Sequence, residues 1–189
     1  TPGLHADVAA GSVDLIWING ENFQAMKRER LLFGPFAETL PNFALVDTVG
    51  KPTTLIDFAE PVDGLESPWG MAQLTFFGDG ASIGAPPSSL AELSRFARDH
   101  AGRVSYPAPP DFHGTTFIKQ VLAELLDDRG ILAKPVAPSE FDRLMAPVLA
   151  WLDGFHGHLW REGRQFPTSQ AALKQMLADG ELLMALTFN

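Results

Sequence analysis

The densest group of chemically capable residues in this chain is Pro109-Pro110-Asp111-Phe112-His113-Gly114-Thr115-Thr116. Gly114 permits close approach of a backbone or a ligand. Thr115 and Thr116 open a helical pattern whose first N–H groups have no intrahelical acceptor and can receive an anion. The same residues also allow a plainer role, in which Asp111 or Thr115 caps the helix, and the two roles are compatible. No Gly-Lys-Ser/Thr follows, so this is not a phosphate loop. Asp111 and His113 are residue types suited to acid–base chemistry, with Thr115 or Ser169 as nucleophile, but no Gly-x-Ser-x-Gly elbow accompanies them.

Two further groups could carry chemistry. In Pro68-Trp69-Gly70, the indole beside a glycine could offer a face to a flat or cationic ligand, or could simply pack in a core. His156-Gly157-His158 with Glu162 has metal-ligand types without the spacing of a helical zinc site, so solvated helix-end histidines and no metal are expected. The charge run Lys27-Arg28-Glu29-Arg30 reads as a solvated helix face.

These residues must be positioned by elements that the pattern suggests. Ser12–Ile18 reads as a buried parallel strand ending at Asn19-Gly20, and Asn22–Leu32 as a short helix. Residues 34–68 carry five prolines and read as loop. Met71–Phe77 and Arg103–Ala108 are strand candidates. Leu90–His100, capped by Ser88 or Ser89, reads as a helix, and Thr115–Asp128 as a longer amphipathic one. Ser139–Trp160 is helical in composition, with interruptions expected at Pro147 and near Gly154 or Gly157. Thr168 or Ser169 caps a last helix through Ala178, and Glu181–Phe188 is a closing strand. Alternation of strands with helices predicts an α/β fold with a largely parallel sheet.

The 189 residues include 14 Lys+Arg and 23 Asp+Glu, a net charge of −9, which nearly excludes nucleic acid as a partner. There is no cysteine, so disulfides, thiolate zinc sites and cysteine nucleophiles are absent together. No apolar run approaches the roughly 18 residues that a membrane helix needs. Hydrophobic residues at 46% and charged residues at 20% are an ordinary globular composition.

Five stretches carry a family resemblance: Asp14–Phe23 (DLIWINGENF), Leu31–Asn42 (LLFGPFAETLPN), Pro61–Leu74 (PVDGLESPWGMAQL), Tyr106–Phe117 (YPAPPDFHGTTF) and Leu177–Asn189 (LADGELLMALTFN). In order and spacing they resemble the YnjB-type solute-binding proteins of ABC transporters, within the iron-, thiamine- and maltose-binding class. The resemblance implies type II periplasmic-binding-protein lobes, mostly parallel sheets flanked by helices, in a chain that is the middle portion of a longer protein. Residues 1–74 would be a partial first lobe with the approach to a hinge, and 75–189 the second lobe.

The resemblance further implies a periplasmic protein that binds one small organic solute in a cleft between hinged lobes, without catalysis, cofactor or metal, and that works with ABC permease subunits. By position, the ligand-binding residues would be Asn19, Glu21, Asn22, Trp69, Asp111, Gly114, Thr115, Thr116, Ser169 and Asn189. Helix N-termini and paired threonines favour a small organic anion. Glu21, Asp111 and a Trp69 platform favour a thiamine-like cation instead. The family's iron binders use paired tyrosines, and Tyr106 stands alone here, which disfavours ferric iron. The competing expectation is an enzyme on a related two-lobed fold, with Asp111 and His113 as its acid–base pair.

Overall fold

Five prolines between residues 34 and 68 prevent long helices there, because proline lacks the N–H that a helix interior requires. The computed structural model describes residues 13–133 and 135–189, which divide between two units, Thr1–Met71 and Ala72–Asn189. No helix among the described residues is long and apolar enough to cross a membrane.

Among its described residues the first unit holds one helix, α1 (Gly20–Arg28), three 3-10 turns (Ala37–Thr39, Pro41–Leu45 and Pro52–Leu55) and a tiny hairpin. The hairpin pairs β1 (Ile56–Asp57) with β2 (Glu60–Pro61) antiparallel through Phe58-Ala59, both at positive φ as a tight two-residue hairpin turn demands. Polar clamps fasten α1 to this hairpin. Gly20 N–H donates to Asp57 Oδ2 at 2.5 Å, and Lys27 Nζ donates to Glu60 Oε1 at 2.8 Å and to the Pro61 carbonyl at 2.6 Å. Lys27 also pairs with Asp63 at 2.8 Å. The head of the expected solvated charge run is therefore a structural pin, and its side chain is only 18% exposed.

The second unit is helical around one two-stranded sheet. Its elements are β3 (Leu74–Gly78), α2 (Gly80–Ile83), α3 (Leu90–Asp99), α4 (Phe112–Leu125), α5 (Pro138–His156), α6 (Gln170–Ala178) and β4 (Met184–Phe188), with a 3-10 turn at Arg129–Ala133 and an irregular one at Trp160–Gly163. Caps set the helix starts. Asp79, Ser89, Asp111 and Ser169 each accept a backbone N–H of the first turn. Ser89 belongs to a doubled cap, since Glu92 reaches back to the N–H and hydroxyl of Ser88.

α5 runs unbroken through Pro147. An internal proline costs a helix about 3 kcal/mol. Burial of Leu144, Val148, Leu152 and Phe155 along one face of α5 offsets that cost. Val148, Leu152 and Phe155 join Phe117 and Val121 of α4, Leu173 of α6 and Leu186 of β4 in a single core.

The expected architecture of mostly parallel sheets in type II periplasmic-binding-protein lobes is not what forms. The described strands make two sheets of two strands each, both antiparallel: β1 with β2, and β3 with β4 in the register Leu74↔Phe188 to Gly78↔Met184. Parallel pairing among the described residues is a single bridge, Val104↔Met184.

The cause is local. Residues 103–108 were expected as a strand, but Pro107 and the following Pro109-Pro110 have no N–H to extend a ladder. The carbonyls of Arg103 and Val104 are taken by Leu183 N–H and Trp160 N–H instead. Residues 13–18 of the expected first strand form no strand, and Ser12 lies outside the described residues.

Candidate functional site

Between α3 and α4 the chain runs through the core as Val104-Ser105-Tyr106-Pro107 before surfacing at Asp111. Tyr106 is buried, and its hydroxyl meets His156 Nε2 at 2.8 Å. Burial pushes the phenol up to about 12, so it stays protonated and serves as a structural hydrogen-bonding group. The Pro107 carbonyl then presses on α4 at Gly114, where an added Cβ would lie 1.7 Å from that oxygen. Only glycine fits this crossing.

Asp111 begins α4. Its Oδ1 accepts the N–H groups of His113 at 2.9 Å and Gly114 at 3.2 Å, and the N–H of Thr115 goes to the Asp111 carbonyl at 2.9 Å. The cap expected of this residue is thus present, and a carboxylate already sits where an external anion would dock. The same Oδ1 lies 3.6 Å from His113 Nδ1, too far for a hydrogen bond, so the Asp111–His113 pair is not aligned as an acid–base dyad. The Thr116 hydroxyl donates back to the Phe112 carbonyl at 2.8 Å.

The start of α4 meets the end of β4. Phe112 stacks on Phe188 with ring centroids 5.2 Å apart, and the His113 ring also stands 5.2 Å from Phe188. Asn189 closes the ladder, its N–H donating to the Gln73 carbonyl at 3.2 Å and its Oδ1 accepting the Gln73 N–H at 2.8 Å. From the other side, Gln170 at the start of α6 donates to Thr187 Oγ1 at 3.1 Å, while Ser169 Oγ accepts Ala172 N–H at 3.2 Å. The N–H of Ala108 reaches the Pro167 carbonyl at 3.3 Å and ties the two approaching loops together.

Two helix N-termini therefore flank the carboxyl end of one strand. Of the residues chosen from sequence, Asp111, Gly114, Thr115, Thr116, Ser169 and Asn189 come together here. Phe112, Phe188, Gln73, Thr187 and Gln170 were missed. The aromatic and amide types were visible, but their proximity depends on the β3–β4 register, which a parallel-sheet expectation could not supply.

Asn19, Glu21, Asn22 and Trp69 belong to the first unit. Asn19 occupies the cap position of α1 without a side-chain cap bond, Glu21 lies in the first turn, and Asn22 is exposed. Trp69 is exposed and meets Trp17 edge-on at 5.6 Å.

Beside α1, sequence reading missed a pair of carboxyls. Burial raises Asp57 above its ordinary value, the Gly20 N–H opposes this, and the charge of Glu21 adds to it. Burial, and then the charge of Asp57, pushes Glu66 up to about 7, and its Oε2 is buried without a partner. Among the described residues no three His, Asp or Glu side chains are grouped to hold a metal, and His156 is committed to Tyr106.

Over 179 residues, 95% of this chain, 45% of positions are identical to those of a curated protein. The chain is homologous to Protein YnjB of Escherichia coli (strain K12). It spans about half the length of Protein YnjB, 46%. No protein-family model and no solved structure matches the chain.

Proposed function

We propose that this chain is part of the solute-binding component of an ABC importer, a periplasmic protein that holds a small organic solute and delivers it unchanged to permease subunits. The five stretches that resemble YnjB-type binding proteins support this reading, as does the homology to Protein YnjB. The observation that carries it is the convergence of the two helix starts on the end of β4, where Phe112 of α4 stacks on Phe188 and Gln170 of α6 donates to Thr187.

The chemistry of this site selects among solutes. The N–H groups of His113 and Gly114 are already taken by Asp111, so a second anion would face a carboxylate. Asp111 Oδ2, the Phe112 face and the Asn189 side chain suit a solute that brings hydrogen-bond donors or a delocalised positive charge. A thiamine-like organic cation fits this description better than a small anion.

The test is thermal melting and calorimetric titration of the chain with thiamine, its phosphates, polyamines, amino acids, sugars and oxyanions. An organic cation should raise the melting midpoint saturably, by about 2.7 kcal/mol of stabilisation at a hundred times Kd. Asp111→Asn keeps an effective cap, since asparagine and aspartate cap about equally well, but removes the charge. This variant should retain the midpoint of the free protein and lose the cation's shift. A shift produced only by oxyanions, or one unchanged in Asp111→Asn, would overturn the assignment of Asp111.

A further inference from the structure

The first unit hides few apolar side chains: among its described residues only Phe23, Ala37 and Val62 are buried. It exposes many more. Leu15 is 88% exposed, Trp17 74%, Trp69 84% and Met71 60%. The edge-on contact between Trp17 and Trp69 joins the two segments into one apolar face. A continuous patch of this kind on a folded protein marks an interface.

The backbone beneath this face also finds no partner among the described residues. Residues 15–18, Leu-Ile-Trp-Ile, have strong strand propensity, yet they lie outside every helix and strand. None of their N–H or C=O groups hydrogen-bonds a described residue. Such a segment is a template for strand addition.

We propose that this face, formed by Leu15–Trp17 with Trp69 and Met71, is an internal interface of a longer chain. Its occupant is a segment outside these 189 residues that pairs its backbone with residues 15–18 and covers the two indoles. More than half of the length of Protein YnjB lies outside the matched region, which provides sequence enough for such a segment. A unit whose described residues bury three apolar side chains has a small core, and a cover present whenever it folds would supply the burial that core lacks. That favours a covalently attached segment over a partner that comes and goes with concentration. The inference is independent of what the site at the end of β4 binds.

Hydrogen exchange tests it on three samples: the 189-residue chain at two concentrations, a chimera in which this chain replaces its matched region in Protein YnjB, and Protein YnjB itself. Amides of residues 15–18 should exchange at least about a hundredfold more slowly in the chimera than in the short chain. The second unit should exchange equally in both. Leu15→Ser should lower the melting midpoint of the chimera and leave that of the short chain unchanged. Should the chimera not fold, the matched segment of Protein YnjB decides, and protection there supports the proposal. Lack of protection in the long proteins overturns it, as does protection already present in the dilute short chain. Protection that rises with concentration of the short chain assigns the face to a second copy, and also overturns the proposal.

Discussion

Phe112 and Phe188 stack with an interplanar angle of 30° and centroids 5.2 Å apart, so the first residue of α4 and the last residue of β4 form one aromatic surface. They are separated by 76 positions in sequence, and the β3–β4 ladder brings them together by placing Phe188 opposite Leu74. The contact fixes where Asp111, two residues from His113 and one from Phe112, stands relative to Asn189.

Phe188→Ala should therefore weaken both the fold and the site. A fully buried phenylalanine costs about 3–5 kcal/mol when truncated, and Phe188 is half-buried, so a loss of about 1–2 kcal/mol is expected in denaturant melts. Solute affinity should fall further than stability, because both the ring surface and the position of Asn189 change. Phe188→Leu should recover most of the stability and little of the affinity. Equal recovery of both would mean that the ring serves packing alone.

Gly114 is the tightest crossing in the second unit. With the Pro107 carbonyl 1.7 Å from where a Cβ would stand, Gly114→Ala forces the loop and α4 apart. Overpacking of this kind costs about 1–3 kcal/mol where neighbours can move, and here the obstacle is backbone. Chemical denaturation should show a loss at the upper end of that range, with the Ala108–Pro167 and Asp111–Ala108 hydrogen bonds disrupted as well. A variant as stable as the parent would refute the crossing.

Much of this site was legible in the sequence, and the reasons are local ones. Asp111 before a Gly-Thr-Thr helix start and Ser169 before α6 are capping signals whose geometry is set within four residues, and both caps form. α5 shows a rule overridden: Pro147 predicted an interruption, and tertiary burial of Val148 and Leu152 held the helix through it. The strands expected at Met71–Phe77 and Glu181–Phe188 form as β3 and β4, but their antiparallel pairing was not legible because the partners are distant. SVDLIWI has the composition of a buried strand, but among the described residues, 15–18 join no ladder, whereas Met184–Phe188 finds β3 across more than a hundred residues. Asp57 and Glu66 were invisible for the same reason, since neither spacing nor motif announces that they will stand together beside α1.

The two units should respond to pH in opposite senses over the same range, and the signs follow from which state holds more protons. Glu66 sits at about 7 when folded and near 4.5 when unfolded, raised by burial and by Asp57. Between those values the folded state holds the extra proton, so its contribution is present at low pH and disappears as pH rises through 7. Asp57 is shifted in the same direction and acts with it.

His156 behaves the other way. Burial lowers its pKa below 6.5, against an opposing pull from Asp153. The unfolded chain therefore binds protons first as pH falls, and the second unit loses stability below about 6.5. Protonation would also remove the Nε2 lone pair that can accept the Tyr106 hydroxyl. Exchange rates measured separately for the two units between pH 5 and 8 should cross, the first unit being more protected in acid and the second near neutrality. Glu66→Gln should flatten only the first profile and His156→Gln only the second. Parallel profiles in the parent protein would show that these groups do not control stability in this range.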